Sequence, residues 1–197
     1  MRLTVEEVGF PQLLAFGDLL ALSEMGTELL KESDDGYNIL VGSRAGTVHL
    51  IPDYSKHPHI LVDVAYHNNK TGQIEHVKSS AAGRYQYIYP TWQEDAGAIG
   101  IADFSPESQD RVLIQSLKRL GGYELICNND IMGALDKLCE TWASLPGGHS
   151  GQPQNKARDL IAAYNQAILH YNAGNTKTPN FSNVISGVTS TAQGVIA

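Results

Sequence analysis

The chain has 197 residues, 42% of them apolar, with a formal net charge of −7 and two cysteines. Its length allows one domain, or one domain with an appendage, and its apolar share is enough for a core. The negative charge excludes the basic face of a nucleic-acid binder.

The N-terminus, Met1 to Glu7, is acidic and lacks an apolar signal core. The protein is therefore expected to be soluble and made in a cytoplasm, and to need another agent to release it if its substrate lies outside. The first helix is predicted over 10–24. Pro11 suits its first turn, and Leu13, Leu14, Leu20 and Ala21 supply a core face. The apolar run inside it is too short and interrupted to span a bilayer, so no membrane insertion is expected. Glu24 stands at its end, where a core helix opens into a Gly-bearing polar stretch over 26–36. A half-desolvated carboxylate has a raised pKa, as a general acid near neutral pH requires; the plain alternative is a solvated helix-end carboxylate.

Short strands are predicted at 37–42, 60–62 and 85–88; the second lies in a long polar segment, 43–79, that lacks helical period. A loop of that length in a compact domain is usually functional, and this one reads as a mobile lip. Five of the seven histidines lie in it: His49, His57, His59, His67 and His76. Their spacing fits neither a zinc ribbon nor a His-Glu-x-x-His helix, so hydrogen-bonded or solvated histidines, and no metal, are expected.

Helices follow over 89–98, where Pro90 sits in the first turn, and from the Ser105-Pro106-Glu107 start signal to about Leu120, ended by Gly121-Gly122. Asp130 should cap another helix whose apolar stripe includes Ile131, Met132, Leu135, Leu138, Cys139 and Trp142. The last helix is expected over 154–171. Cys127 and Cys139 lie among apolar residues and read as buried free thiols. Residues 1–172 are read as one catalytic domain. Residues 173–197, rich in Gly, Asn, Ser and Thr, are read as a low-complexity tail outside it. The fold class is α+β: a mainly helical lobe and a small β-region, with the active-site cleft between them.

Several segments stand in a characteristic order: Ser23-Glu24, Gly36-Tyr37-Asn38, Val41-Gly42, Asp53 to Pro58, Ala82-Gly83-Arg84-Tyr85-Gln86, Asp103 to Asp110 and Trp142-Ala143-Ser144-Leu145-Pro146-Gly147. Together they resemble the endolysins of lambda-type bacteriophages, lytic transglycosylases with a lysozyme-like fold. The resemblance implies cleavage of the β-1,4 bond between N-acetylmuramic acid and N-acetylglucosamine in peptidoglycan glycan strands, without water, leaving a 1,6-anhydro sugar. The residue matching the family's catalytic glutamate is Glu24. The departures are a longer 44–79 segment and the tail after Ala173, which leaves room for a partner-binding or virion-attachment role.

Glycosidic cleavage passes through an oxocarbenium-like transition state and needs one carboxylic acid. Glu24 used twice, as acid and then as base, suffices for a transglycosylase, with no cofactor. A hydrolytic muramidase is the alternative, with Glu28, Glu32, Asp34 and Asp35 as candidate second carboxylates. Ser33 occupies the position where phage-type hydrolytic lysozymes keep an Asp. A non-catalytic glycan-binding or virion-structural protein is the alternative of another class.

For substrate binding the candidates are Gln86, Tyr85, Arg84, Ser80 and His149. Gln86 has a donor and an acceptor for an N-acetyl group, and Tyr85 has a flat face for a sugar ring or else belongs to the core. Arg84 would share a strand face with Gln86 or form a salt bridge behind the site. His149 lies in the Gly/Pro-rich loop 144–151 that could form a mobile lip. The expected partner is the murein glycan strand, bound by a monomer, with no nucleic acid.

Overall fold

The structure, a computed structural model, describes residues 2–182. Among these the chain forms seven helices and one two-stranded sheet. The architecture is α+β and dominated by helices, and none of the described helices is long and apolar enough to cross a membrane.

A first turn of helix, α1 (Val5–Val8), was not legible as one. Thr4 closes its front, its hydroxyl accepting from the Glu7 backbone while the Glu7 carboxylate accepts from Thr4 N at 2.8 Å. This reciprocal arrangement is a capping box.

The central helix, α2 (Pro11–Lys31), starts one residue after the predicted Phe10, which caps it, and continues past Glu24. Gly26 (φ 70°, ψ 171°) breaks it into two helical runs that meet at a kink. The second run forms because Leu29 and Leu30 are buried; tertiary burial outweighs the terminating signal of the glycine. Every side chain from Leu13 to Met25 is buried, so α2 is wrapped on all sides. The last of the described helices, α7 (Ala157–Asn172), packs along it.

Strand β1 (Val62–His67) pairs antiparallel with β2 (Ile74–Ser79), Val62 opposite Ser79 and His67 opposite Ile74. About half of the segment expected to be an aperiodic lip is therefore a hairpin. It has a small core of its own, in which Val64 packs with Val41 and Ala81. The strand expected at 37–42 makes only isolated bridges, Ile39 with Leu50 and Leu40 with Ala82. The strand expected at 85–88 is a tight turn instead. Ala82 and Tyr87 exchange backbone hydrogen bonds at 3.0 Å around residues 83–86, and Gly83 and Gln86 both have positive φ, 74° and 49°.

Helices α3 (Tyr89–Ala98) and α4 (Pro106–Leu120) have the predicted bounds. Ser105 caps α4 by accepting from Ser108 N, and left-handed Gly121 ends it. A short α5 (Tyr123–Cys127) precedes α6 (Ile131–Leu138), which Asp130 caps through Gly133 N at 3.0 Å. Because α6 ends at Leu138, Trp142 lies in the turn beyond it, fully buried, its indole N–H donating to Tyr85 O at 3.1 Å. Cys139 is buried as expected, and Cys127 is half-buried.

The start of the expected tail returns to the body. Phe181 is 3% exposed and joins the main core, and the Thr178 hydroxyl donates to Asp35. The rest of the tail, from residue 183, lies outside the described residues.

Candidate active site

Glu24 lies on α2, two residues before the Gly26 break, so its side chain leaves the helix where the backbone changes direction. It is only 2% exposed. The Ser144 hydroxyl, 120 residues away in the chain, donates to Glu24 Oε1 at 2.6 Å. The Ser23 hydroxyl donates to Ser144 Oγ at 2.9 Å. Asn155 Nδ2 donates to the Ser23 carbonyl at 2.8 Å and to the Ser23 hydroxyl at 3.1 Å, while Asn155 N donates to Ser144 O at 2.9 Å. Burial raises the Glu24 pKa to about 7, and the Ser144 hydrogen bond opposes that rise. The carboxyl is thus half protonated near neutral pH, as a group that first gives and then takes a proton should be.

The candidate second carboxylates are engaged elsewhere. Glu28 pairs with Lys31 at 3.0 Å, and Glu32 accepts from Gly46 N at 2.9 Å. Asp34 accepts from the Tyr54 hydroxyl at 2.6 Å, and Asp35 pairs with Arg84 at 2.8 Å. None of them shares a hydrogen-bond partner with Glu24 among the described residues.

Among the described residues, Glu24 shares no hydrogen bond with the binding residues that the sequence grouped with it. Arg84 and Tyr85 are corrections. Arg84 is fully buried, its guanidinium held between Asp18 (2.8 Å) and Asp35. Asp18 also accepts from Arg2 at 2.9 Å and from the Tyr171 hydroxyl. This network ties the N-terminus, α2, the 83–86 turn and α7 together, and it presents no guanidinium edge to a glycan. Tyr85 is 1% exposed and donates to Asp110 Oδ1 at 2.6 Å, so its ring belongs to the core.

Gln86 is fully buried and folds back on its own turn, Nε2 donating to Gly83 O at 2.8 Å; its Oε1 has no partner among the described residues. Ser80 is nearly buried and accepts from Tyr89 N at 2.9 Å, which anchors the start of α3. His149 is exposed, with Nδ1 2.6 Å from Glu140 Oε1. It lies in the loop between α6 and α7 that also carries Ser144 and Asn155. The tip of the β1–β2 hairpin meets the same loop, Asn69 N donating to Gly151 O at 2.7 Å.

The histidines of 43–79 have separate partners. His57 is buried against Tyr87 O (2.8 Å), and that burial lowers its pKa to about 4. His59 stacks on Tyr89 at 3.8 Å, and His76 lies 2.7 Å from Asp63. Among the described residues no three His, Cys, Asp or Glu side chains group to hold a metal.

Sequence reasoning assigned no role to Ser23, Ser144 or Asn155. Ser23 and Ser144 stood inside motifs it singled out, but nothing in their spacing announced that they meet at Glu24.

The family model described as Endolysin matches residues 14–169. The chain belongs to the endolysin family. This endolysin is 41% identical over 155 residues to the endolysin of Escherichia phage lambda, covering 78% of this chain and 89% of that protein. It is 34% identical over 153 residues to the endolysin of Escherichia phage P2, covering 78% and 90%. Among solved structures it is similar to bacteriophage lambda lysozyme complexed with a chitohexasaccharide, with a TM-score of 0.67 and 40% identity over 80% of this chain and 94% of that one. A second structure of lysozyme from bacteriophage lambda matches with a TM-score of 0.58 and 32% identity, covering 86% and 97%. The fold is lysozyme-like. The family match ends at residue 169, short of the segment whose Phe181 completes the core.

Proposed function

We propose that this endolysin is a lytic transglycosylase of murein glycan strands, with Glu24 as its only acid and base. Protonated Glu24 gives its proton to the glycosidic oxygen as the bond from that oxygen to the muramic anomeric carbon breaks. The neighbouring N-acetyl group of the substrate stabilises the resulting positive charge. The carboxylate then takes the proton of the muramic C6 hydroxyl as that oxygen bonds to the anomeric carbon. The 1,6-anhydro ring closes, no water is consumed, and Glu24 is again protonated.

One observation carries this reading. Glu24 is a buried carboxyl whose raised proton affinity comes from desolvation, opposed by one hydroxyl, with no second carboxylate joined to it among the described residues. A hydrolase of the two-carboxylate kind needs a base or nucleophile beside the acid, whereas Asp34 and Asp35 are bound to Tyr54 and Arg84. Glycan binding by a relative is consistent with the substrate class, since the lambda lysozyme structure holds a chitohexasaccharide. The enzyme would act on the cell wall after release from the host cytoplasm, as a monomer and without a cofactor. Mass spectrometry of products from purified murein is the test. Anhydro ends, one water lighter than reducing ends, are expected; reducing ends as the main product would overturn the proposal in favour of a muramidase.

A further inference from the structure

The reading of Glu24 as acid and base leaves open which carboxyl oxygen carries the proton and what holds the group in place. Asn155, Ser23, Ser144 and Glu24 form a continuous file of hydrogen bonds at 3.1, 2.9 and 2.6 Å. Its direction is fixed by its ends. An amide nitrogen can only donate, and an ionised carboxylate can only accept. Each serine has one hydroxyl proton, so each must accept from the residue behind it and donate to the residue ahead. The amide is itself clamped, because Asn155 Nδ2 also donates to Ser23 O at 2.8 Å and Asn155 N donates to Ser144 O at 2.9 Å. Ser23, Ser144 and Asn155 are all buried.

We infer that Asn155, Ser23 and Ser144 are positioning residues that commit Glu24 Oε1 to the Ser144 hydroxyl and so reserve Oε2 for the proton exchanged with the substrate. The inference rests on the reading of Glu24 as the acid and base. With Oε1 occupied, the proton of the acid form sits on Oε2, where it meets the glycosidic oxygen. After transfer the same oxygen has the free lone pairs, so it takes the C6 hydroxyl proton without rotation of the carboxyl. The file also stabilises the ionised form and holds Glu24 below the proton affinity that burial alone would impose. The group hydrogen-bonded to Glu24 is the neutral Ser144 hydroxyl, with Ser23 and Asn155, also neutral, behind it. Among the described residues no charged side chain of α2, the α6–α7 loop or the β-region contributes to its proton affinity.

The test is the pH dependence of kcat/KM on purified glycan strands, with Glu24→Gln measured alongside. A hydrogen bond to a charged group is strong enough to move a pKa by about one unit or more. Ser144→Ala should therefore move the alkaline limb of the profile upward by about one pH unit, lower kcat by about tenfold, and leave KM within about twofold. Ser144→Thr, which keeps the hydroxyl, should return the limb to its original place. Asn155→Leu, close in size and uncharged but unable to donate, removes the fixed end of the file and should move the limb in the same direction as Ser144→Ala by a smaller amount. If Ser144→Ala does not fold, Asn155→Leu and Ser23→Ala carry the same comparison. A limb that stays in place in the folded variants, with only the melting temperature lowered, would show a merely structural role and overturn the inference while Glu24→Gln remains inactive. An active Glu24→Gln would overturn the catalytic reading and this inference with it.

Discussion

Replacing Glu24 with Gln should abolish lysis and at the same time stabilise the fold, by an amount that depends on pH. The amide matches the protonated carboxyl in shape and charge and can still accept from Ser144. The carboxyl has an ordinary pKa of 4.5 and a folded value of about 7. Below pH 4.5 both folded and unfolded chains hold the proton, and the group contributes no difference. Between 4.5 and 7 the unfolded chain loses the proton while the folded chain keeps it, so stability falls as pH rises. Above 7 the cost is constant, because the folded protein now buries a carboxylate. A gap of about 2.5 pH units corresponds to about 3 kcal/mol. The variant avoids that cost. Its melting temperature should match that of the wild type at pH 4 and exceed it at pH 8 by up to about 6–12 °C for a chain of this size. Activity should fall about 10²–10⁴-fold. Thermal unfolding of both proteins from pH 4 to pH 8, followed by circular dichroism, is the assay. A melting-temperature difference that does not vary with pH would refute the claim that burial holds a proton on Glu24.

Asp34→Asn should reduce lysis less than tenfold, as measured by turbidity of permeabilised cells, and leave anhydro ends as the product, because Asp34 is exposed and bound to Tyr54. Asp35→Asn should instead act on stability, costing about 1–3 kcal/mol, since it removes one of the carboxylates that neutralise buried Arg84; an unchanged denaturation midpoint would contradict this. Phe181→Ala should cost about 3 kcal/mol, and a chain ended at Gly174 should melt correspondingly earlier in calorimetry, because Phe181 fills the core and Thr178 caps the Asp35–Arg84 pair. Shortening the hairpin tip between Asn69 and Gln73 should remove the contact to Gly151, leave the melting temperature close to that of the wild type because Val64 keeps its packing, and raise the hydrolysed fraction of product as water gains access. A hydrolysed fraction that does not change would argue against a water-excluding role for the hairpin.

The helix bounds of α3 and α4 were legible because their signals are local. Pro in the first turn, the Ser105 side chain and the left-handed Gly121 all act within one turn of the residues they terminate. The length of α2 was not legible. Gly26 reads as a stop, and only the burial of Leu29 and Leu30 against the rest of the molecule makes the helix resume. Arg84, Tyr85 and Gln86 were misread for a related reason. A strand would alternate their side chains, but the positive φ at Gly83 and Gln86 folds them into a turn whose side chains all point into protein. The tail was judged by its polar composition, and one aromatic residue, Phe181, decides where its start lies.

Sequence alone determined the α+β class and the family segments in their order, and it offered Glu24 as the candidate acid through its place among those segments, since position alone left a solvated helix-end carboxylate equally open. Only the tertiary structure decided how far that desolvation proceeds and what answers it. A pKa is set by the atoms within a few ångströms of the group. The polar atom that matters at Glu24 belongs to Ser144, itself held through Ser23 and Asn155, and it meets Glu24 only after the loop between α6 and α7 has folded back over α2 beside the Gly26 break.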